Sequence, residues 1–259
     1  MRIARFTAGE EPGFGVIESS GSQQFIAEIV GDPLYQGVEF TGQRFELDAV
    51  RLLAPVIPRS KVVCVGRNYV DHAAELGNDV PDEPLLFLKP NTSVIGPGDP
   101  IVYPRQSREV HYEGELAVVI GRICRDVPVD RTADVIYGYT VGNDVTARDL
   151  QKQDVQYTRA KSFDTFCPLG PWIETDLDVS DLAITTDLGD QERQSGRTSQ
   201  MIFDVPTIIA YVTSVMTLLP GDVVLTGTPA GVGPMQPGDE VAVTIEGIGT
   251  LDNKVVSRD

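Results

Sequence analysis

The 259-residue chain holds three cysteines, two histidines and no run of eighteen apolar residues, and each scarcity excludes something. Cys64, Cys124 and Cys167 are odd in number and far apart, so no disulfide framework is expected. Reduced, buried thiols of a cytoplasmic protein are expected instead. Without a long apolar run there is no candidate membrane-spanning helix. The opening Met-Arg-Ile-Ala-Arg-Phe-Thr has no apolar core of the kind a signal peptide needs. Basic residues are few, 21 Lys and Arg against 38 Asp and Glu, for a net charge of −17. No basic stripe is present to meet phosphates, which argues against a nucleic-acid partner. An anionic substrate is still allowed, because a bound dication and a few local cations can reverse the sign inside one pocket. With only His72 and His111, a centre of two histidines and one carboxylate is a poor fit. There is no Gly-x-Ser-x-Gly element and no dinucleotide fingerprint. The Gly-rich loop Thr226-Gly227-Thr228-Pro229-Ala230-Gly231-Val232-Gly233 resembles an anion-cradling nest but lacks the Lys-Ser/Thr ending of a P-loop.

What remains is an ordinary apolar fraction of 41 % and many short strand signals. Residues 1–55 read as a small β-rich N-terminal domain, with short alternating stretches broken by Gly-rich turns. Pro55 and Pro58 bracket a linker, and residues 56–259 carry every chemically suggestive motif. Pro97-Gly98-Asp99, Pro220-Gly221-Asp222 and Pro237-Gly238-Asp239 each precede a β-like segment. Proline presets the first turn position and glycine accepts the positive φ of the second. Helices are few. Pro206 to Leu219 has apolar residues at helical spacing, and Asn68 to Glu75 reads as a short helix capped by Asn68 and ended by Gly77. The fold class is α+β, dominated by strands.

The chemistry starts at Glu113-Gly114-Glu115, followed by the apolar run Leu116-Ala117-Val118-Val119-Ile120. Side chains two apart on a strand share a face, so two carboxylates meet at the mouth of a buried strand. Their repulsion calls for a cation. Asp144 ends another strand-like stretch and completes an oxygen-only set. Such a set favours Mg²⁺, Mn²⁺ or Ca²⁺ over Zn²⁺ and leaves positions for a chelating substrate. His111 lies two residues before Glu113 and reads as a surface or supporting residue. His72 and Glu75, three apart on the short helix, make a carboxylate–imidazole pair suited to activating water. The polar stretch Gly77 to Pro84 after them reads as a mobile lid joint. Arg67, Lys89 and Lys161 can each bind a substrate carboxylate or a developing enolate.

Six ordered motifs together resemble the fumarylacetoacetate hydrolase family. They are Val65-Gly66-Arg67-Asn68-Tyr69 with His72 and Glu75; Phe87-Leu88-Lys89-Pro90; and Tyr112-Glu113-Gly114-Glu115 with its apolar run. Asn143-Asp144 through Gln151, Ala160-Lys161-Ser162-Phe163-Asp164 and Leu225 through Gly233 follow. The resemblance spans about Lys61 to Val256. It implies a strand-rich α+β roll, a mixed β-sandwich with few helices, in a homodimer. It implies that Glu113, Glu115 and Asp144 bind Mg²⁺ or Mn²⁺ and that His72 and Glu75 activate water. Lys161, Gln151, Thr228 and Arg67 are then expected to contact substrate, with Lys161 adding positive charge beside an enolate. The implied activity is C–C bond cleavage in a 2-oxo acid, by acylpyruvate hydrolysis or oxaloacetate decarboxylation. Tautomerisation of the kind carried out by 2-hydroxyhepta-2,4-diene-1,7-dioate isomerase is the alternative. A non-catalytic protein binding a metal and a small acid is an alternative of another class.

Overall fold

The computed structural model describes residues 1–9, 11–21 and 23–258. Strands dominate and fall into three sheets. The middle of the largest holds Gly114–Ile120, flanked on one side by Ile136–Asn143 and then Cys167–Glu174, and on the other by Val223–Leu225, Val62–Gly66 and Leu85–Lys89. A five-stranded sheet, ordered Gln191–Arg197, Ala183–Leu188, Glu240–Ile245, Gly249–Ser257 and Ile101–Tyr103, packs against it. A small third sheet joins Thr146–Ala147, Val110–Tyr112 and Gly233–Met235. No helix among the described residues is long and apolar enough to cross a membrane.

The unbroken apolar run at the centre has a direct cause. Leu116, Val118 and Ile120 enter one core cluster with Ile184, Val243 and the helix Val205–Val215. Ala117 and Val119 enter a second cluster on the opposite face with Val62, Cys64 and Leu169. A strand buried on both faces has no position left for a polar residue. All three cysteines are free and buried.

The first strand, Arg2–Thr7, pairs with Gly13–Ser20 and Arg51–Leu53, and also with Cys167–Glu174. The N-terminal strands thus continue the large sheet. The glycines of all three Pro-Gly-Asp turns have positive φ, as the turn chemistry requires.

Two helix expectations need correcting. The longer helix runs Val205–Val215, capped by the Asp204 carboxylate accepting from the Thr207 N–H at 2.9 Å. It stops before Leu219 because Met216 turns extended and Leu218 exchanges backbone hydrogen bonds with Cys124 at 3.0 Å. Asn68 does not cap the short helix Val70–Glu75. Its carboxamide is fully buried. It donates to the carbonyls of Phe203 (3.0 Å) and Thr226 (2.7 Å) and accepts from the Phe203 N–H (2.8 Å). A side chain bonded across three segments is not available to a helix end. Gly77 does end that turn, with positive φ.

Candidate active site

The carboxylates converge where the central strands end. Glu113 sits at a break: Val110–Tyr112 belongs to the small sheet and Gly114–Ile120 to the large one. The single strand expected over both glutamates is therefore two, hinged at Glu113. Gly114 makes the hinge possible, because a Cβ there would run into Thr186 Oγ1 and Val243 of the five-stranded sheet. Asn143 holds the hinge by accepting the Glu113 N–H at 3.0 Å, and the next residue, Asp144, donates its N–H to the Glu113 carbonyl at 2.9 Å. One oxygen each from Glu113, Glu115 and Asp144 lies within 4.8 Å of the others, and all three residues are buried.

Three buried cations face these three acids. Lys161 Nζ bridges Glu113 Oε2 at 2.8 Å and Asp144 Oδ2 at 2.6 Å. Lys89 Nζ donates to Asp144 Oδ1 at 2.5 Å and to the Val145 carbonyl at 3.1 Å. Arg148 pairs with Glu113 Oε1 and donates to Gln151 Oε1 at 2.5 Å. Burial disfavours charge on Glu113, but Lys161 and then Arg148 outweigh it and hold the carboxyl below its usual range. Glu115 goes the other way. Burial, then repulsion from Asp144 and Glu113, push it well above the carboxylate range, and the Gly227 N–H at 2.7 Å only partly compensates. Lys161 is held above its ordinary value because Asp144 and Glu113 overcome the effect of burial.

A hard dication fits this donor set: buried carboxylate oxygens only, no sulfur or imidazole, and one carboxyl whose proton a cation can replace. That exchange has a sign. Glu115 holds its proton at a pH where an ordinary carboxyl has lost it, so cation uptake releases a proton. Mn²⁺ affinity should therefore weaken as pH falls from 7 toward 5, by up to about tenfold per unit. Calorimetric titration at several pH values, in buffers of different ionisation enthalpy, checks both the slope and the proton release. A pH-independent affinity would contradict the exchange.

The loop Thr226–Gly233 cradles anions, but the anions are the protein's own. Gly227 N–H serves Glu115, and Gly231 N–H serves both Glu75 oxygens at 3.2 Å. Both glycines have positive φ. The Thr228 hydroxyl donates to the Gly114 carbonyl at 2.9 Å and accepts from Gln194 Nε2 at 2.7 Å. His72 is buried, with Nδ1 3.5 Å from Glu75 Oε2. Burial lowers the His72 pKa, which favours a neutral imidazole able to take a proton.

A small cleft of about 40 Å³ opens above the carboxylates. His72, Arg67, Gln151, Lys161 and Thr228 line it along with the three acids, and Glu75 stands directly behind His72. Arg67 has a left-handed backbone (φ 58°), and its guanidinium reaches the Tyr157 hydroxyl at 3.5 Å. Lys89, read as a possible substrate cation, is instead fully committed behind Asp144 and does not line the cleft. His111 is not a surface residue: it is 8 % exposed, accepts from Arg148 Nε at 3.4 Å and pairs with Glu109 at 3.0 Å. The sequence reading missed Arg148 and Tyr157 as cleft residues. Arg148 lies inside the Asn143-to-Gln151 motif, but its approach to Glu113 depends on the strand Thr146–Ala147 and the helix that starts at Arg148, which spacing from Asp144 does not show. Tyr157 had no signal.

With the geometry in place, comparison with known proteins settles the family. The profile described as fumarylacetoacetate (FAA) hydrolase C-terminal matches residues 61–256, and one described as Rv2993c-like, N-terminal matches residues 1–55. The chain belongs to the fumarylacetoacetate hydrolase family. Within the family it is 44 % identical over 197 residues to a Dictyostelium discoideum protein named oxaloacetate decarboxylase, mitochondrial, covering 73 % of this chain and 90 % of that one. The crystal structure of a Mycobacterium smegmatis 5-carboxymethyl-2-hydroxymuconate delta-isomerase superposes with a TM-score of 0.92 at 51 % identity, covering 100 % of both chains. A Sphingobium maleylpyruvate hydrolase, solved with manganese(II) and pyruvate, superposes with a TM-score of 0.80 at 34 % identity, again covering 100 % of both. Fumarylacetoacetate hydrolase relatives thus bear hydrolase, decarboxylase and isomerase names on one fold.

Proposed function

We propose that this protein is an Mg²⁺- or Mn²⁺-dependent enzyme that cleaves a C–C bond of a 2-oxo acid, with acylpyruvate hydrolysis as the reaction the residues fit best. The carrying observation is that the buried imidazole of His72, with the more exposed Glu75 carboxylate 3.5 Å from its Nδ1, opens onto the same cleft as the three-carboxylate cluster. A dication held by Glu113, Glu115 and Asp144 would supply a Lewis acid that stabilises a 2-oxo acid's enolate. The maleylpyruvate hydrolase with bound manganese and pyruvate supports the choice of metal and substrate class.

The charge count supports an anionic substrate. Glu113, Glu115 and Asp144 carry three negative charges when ionised, against three positive charges on Lys89, Arg148 and Lys161. A dication would leave two net positive charges around the three acids, before Arg67 is counted. Arg67 and the Gln151 amide bind and orient the substrate. His72, with the Glu75 carboxylate beside it, takes a proton from water as its oxygen adds to the distal carbonyl. The bond to the methylene carbon then breaks, its electron pair passes to the enolate, and Lys161 faces the developing oxyanion. Protonation of that carbon releases pyruvate, and the added water leaves within the second acid.

Oxaloacetate decarboxylation is the second reading, favoured by the Dictyostelium relative. It loses CO₂ to the same enolate and needs no attacking water. His72→Ala separates the two. Acetopyruvate hydrolysis should fall by on the order of 10³ while oxaloacetate decarboxylation stays within about tenfold. Steady-state assays with Mn²⁺ measure both. Equal, small effects on the two reactions would remove the dyad from the proposal.

A further inference from the structure

A second cavity, about 190 Å³, lies where the N-terminal strands meet the large sheet, and it shares no lining residue with the active-site cleft. Ile3, Phe14, Leu34, Val56 and Ile173 give it an apolar wall. Arg5 shares the strand face of Ile3 and opens into the same space. Arg59 stands at the rim, its guanidinium 4.2 Å from the Tyr35 ring centroid. Tyr35 is itself pinned, donating its hydroxyl to the Pro220 carbonyl at 3.1 Å.

The two guanidiniums have no carboxylate partner among the described residues. Asp32 also lines the cavity, but its carboxylate caps the short helix Pro33–Gln36, accepting the Leu34 N–H at 3.0 Å, and pairs with neither arginine. The Tyr137 hydroxyl, also in the lining, donates to no protein acceptor among the described residues. Burial and the nearby Asp32 push it up to about 12, so it remains a donor. Two arginines without a carboxylate ion pair among the described residues, against the single carboxylate of Asp32, and a phenol around an apolar floor suit an anion with an apolar body. An arginine held over an aromatic ring still has N–H groups to offer a carboxylate. At about 190 Å³ the space is smaller than a drug-sized pocket, which limits the ligand to a small acid. Tyr137 is near the start of the strand Ile136–Asn143, whose other end leads to Asp144, about 20 Å away.

We propose that this cavity is a second binding site, for a small aryl or arylalkyl carboxylate held by Arg5 and Arg59. The test uses the full chain and phenylacetate as probe, titrated calorimetrically without added metal and again with Mn²⁺ and saturating oxalate. Equal affinity in both states is expected, because the site is separate from the metal cleft. Phenylacetamide, the uncharged isostere, should bind about tenfold more weakly or worse. Arg59→Gln and Arg5→Gln should each weaken phenylacetate about tenfold while leaving 2-oxo acid turnover unchanged. Arg59 is exposed, so its variant tests the idea even if the half-buried Arg5 proves necessary for folding. Displacement of phenylacetate by oxalate would assign the binding to the metal cleft and overturn the proposal. So would equal affinity for the amide, wild-type affinity in Arg59→Gln, or no binding to the unaltered protein.

Discussion

Glu115→Gln should abolish turnover of every 2-oxo acid and, with it, the thermal stabilisation that Mn²⁺ gives the unaltered protein. The substitution keeps the shape and still offers an oxygen to the Gly227 N–H, so it removes charge rather than packing. At a hundredfold excess over its Kd a single bound ion stabilises the native state by about 2.7 kcal/mol, which for a chain of this size is about 5–10 °C in Tm. That shift should vanish, and kcat/KM should fall by on the order of 10³ or more. The metal-free protein should behave in the opposite way. Glu115 is raised above its unfolded value, so its contribution to stability is complete below that value and is lost as pH rises through the folded one. Glutamine has no proton to lose. At neutral pH without metal the variant should therefore be as stable as the parent or more so, and its stability should depend less on pH above about 4.5. Thermal melts with and without Mn²⁺ from pH 5 to 8 measure all of this. A variant that keeps both activity and the Mn²⁺ shift would remove Glu115 from the ligand set.

Lys161→Met should do more damage to the fold and yet bind metal more tightly. The ammonium joins Glu113 to Asp144, and all three groups are buried. Removing one member of a buried ionic cluster strands the others, at a cost of about 3–5 kcal/mol. Methionine approximates the stem's volume, so the loss is mainly electrostatic. A dication can replace the missing charge. The Tm gain from Mn²⁺ should therefore be larger in Lys161→Met than in the parent, and the Mn²⁺ Kd lower. Activity should nonetheless fall by on the order of 10³, because the cation facing the enolate oxygen is gone. Unchanged metal affinity would show that Lys161 and the metal do not compete for the same carboxylates. Unchanged activity would confine the lysine to a structural role.

Part of the site is legible in the sequence because short-range geometry determines it. Glu113 and Glu115, flanking a single glycine, are close in sequence but meet across a strand break, whereas His72 and Glu75 are one helical turn apart, so that pair shares a direction whatever the tertiary fold. The Pro-Gly-Asp turns are legible for the same reason. The parts that escaped depend on residues distant in the chain. Asn68 looks like a helix cap until Phe203 and Thr226 are brought to its carboxamide. Lys89 looks like a free cation until Asp144 is seen against it. The hinge at Glu113 is set by which sheet each half of the segment joins, and that is decided by partners some 30 and 120 residues away, Asn143 and Gly233. The Gly-rich loop is recognisable as an anion holder, but only the folded chain shows that its occupants are Glu75 and Glu115.

The central strand meets a different apolar layer on each side, Leu116, Val118 and Ile120 on one and Ala117 and Val119 on the other. A slip of one residue against its neighbours would exchange the two layers and carry the glutamates to the wrong side of the sheet. Large and small side chains would then have to trade places in two filled interiors at once. The alignment of the acids is thus guarded by the inequality of two hydrocarbon layers, and variants that equalise the layers should lose 2-oxo acid turnover before they unfold.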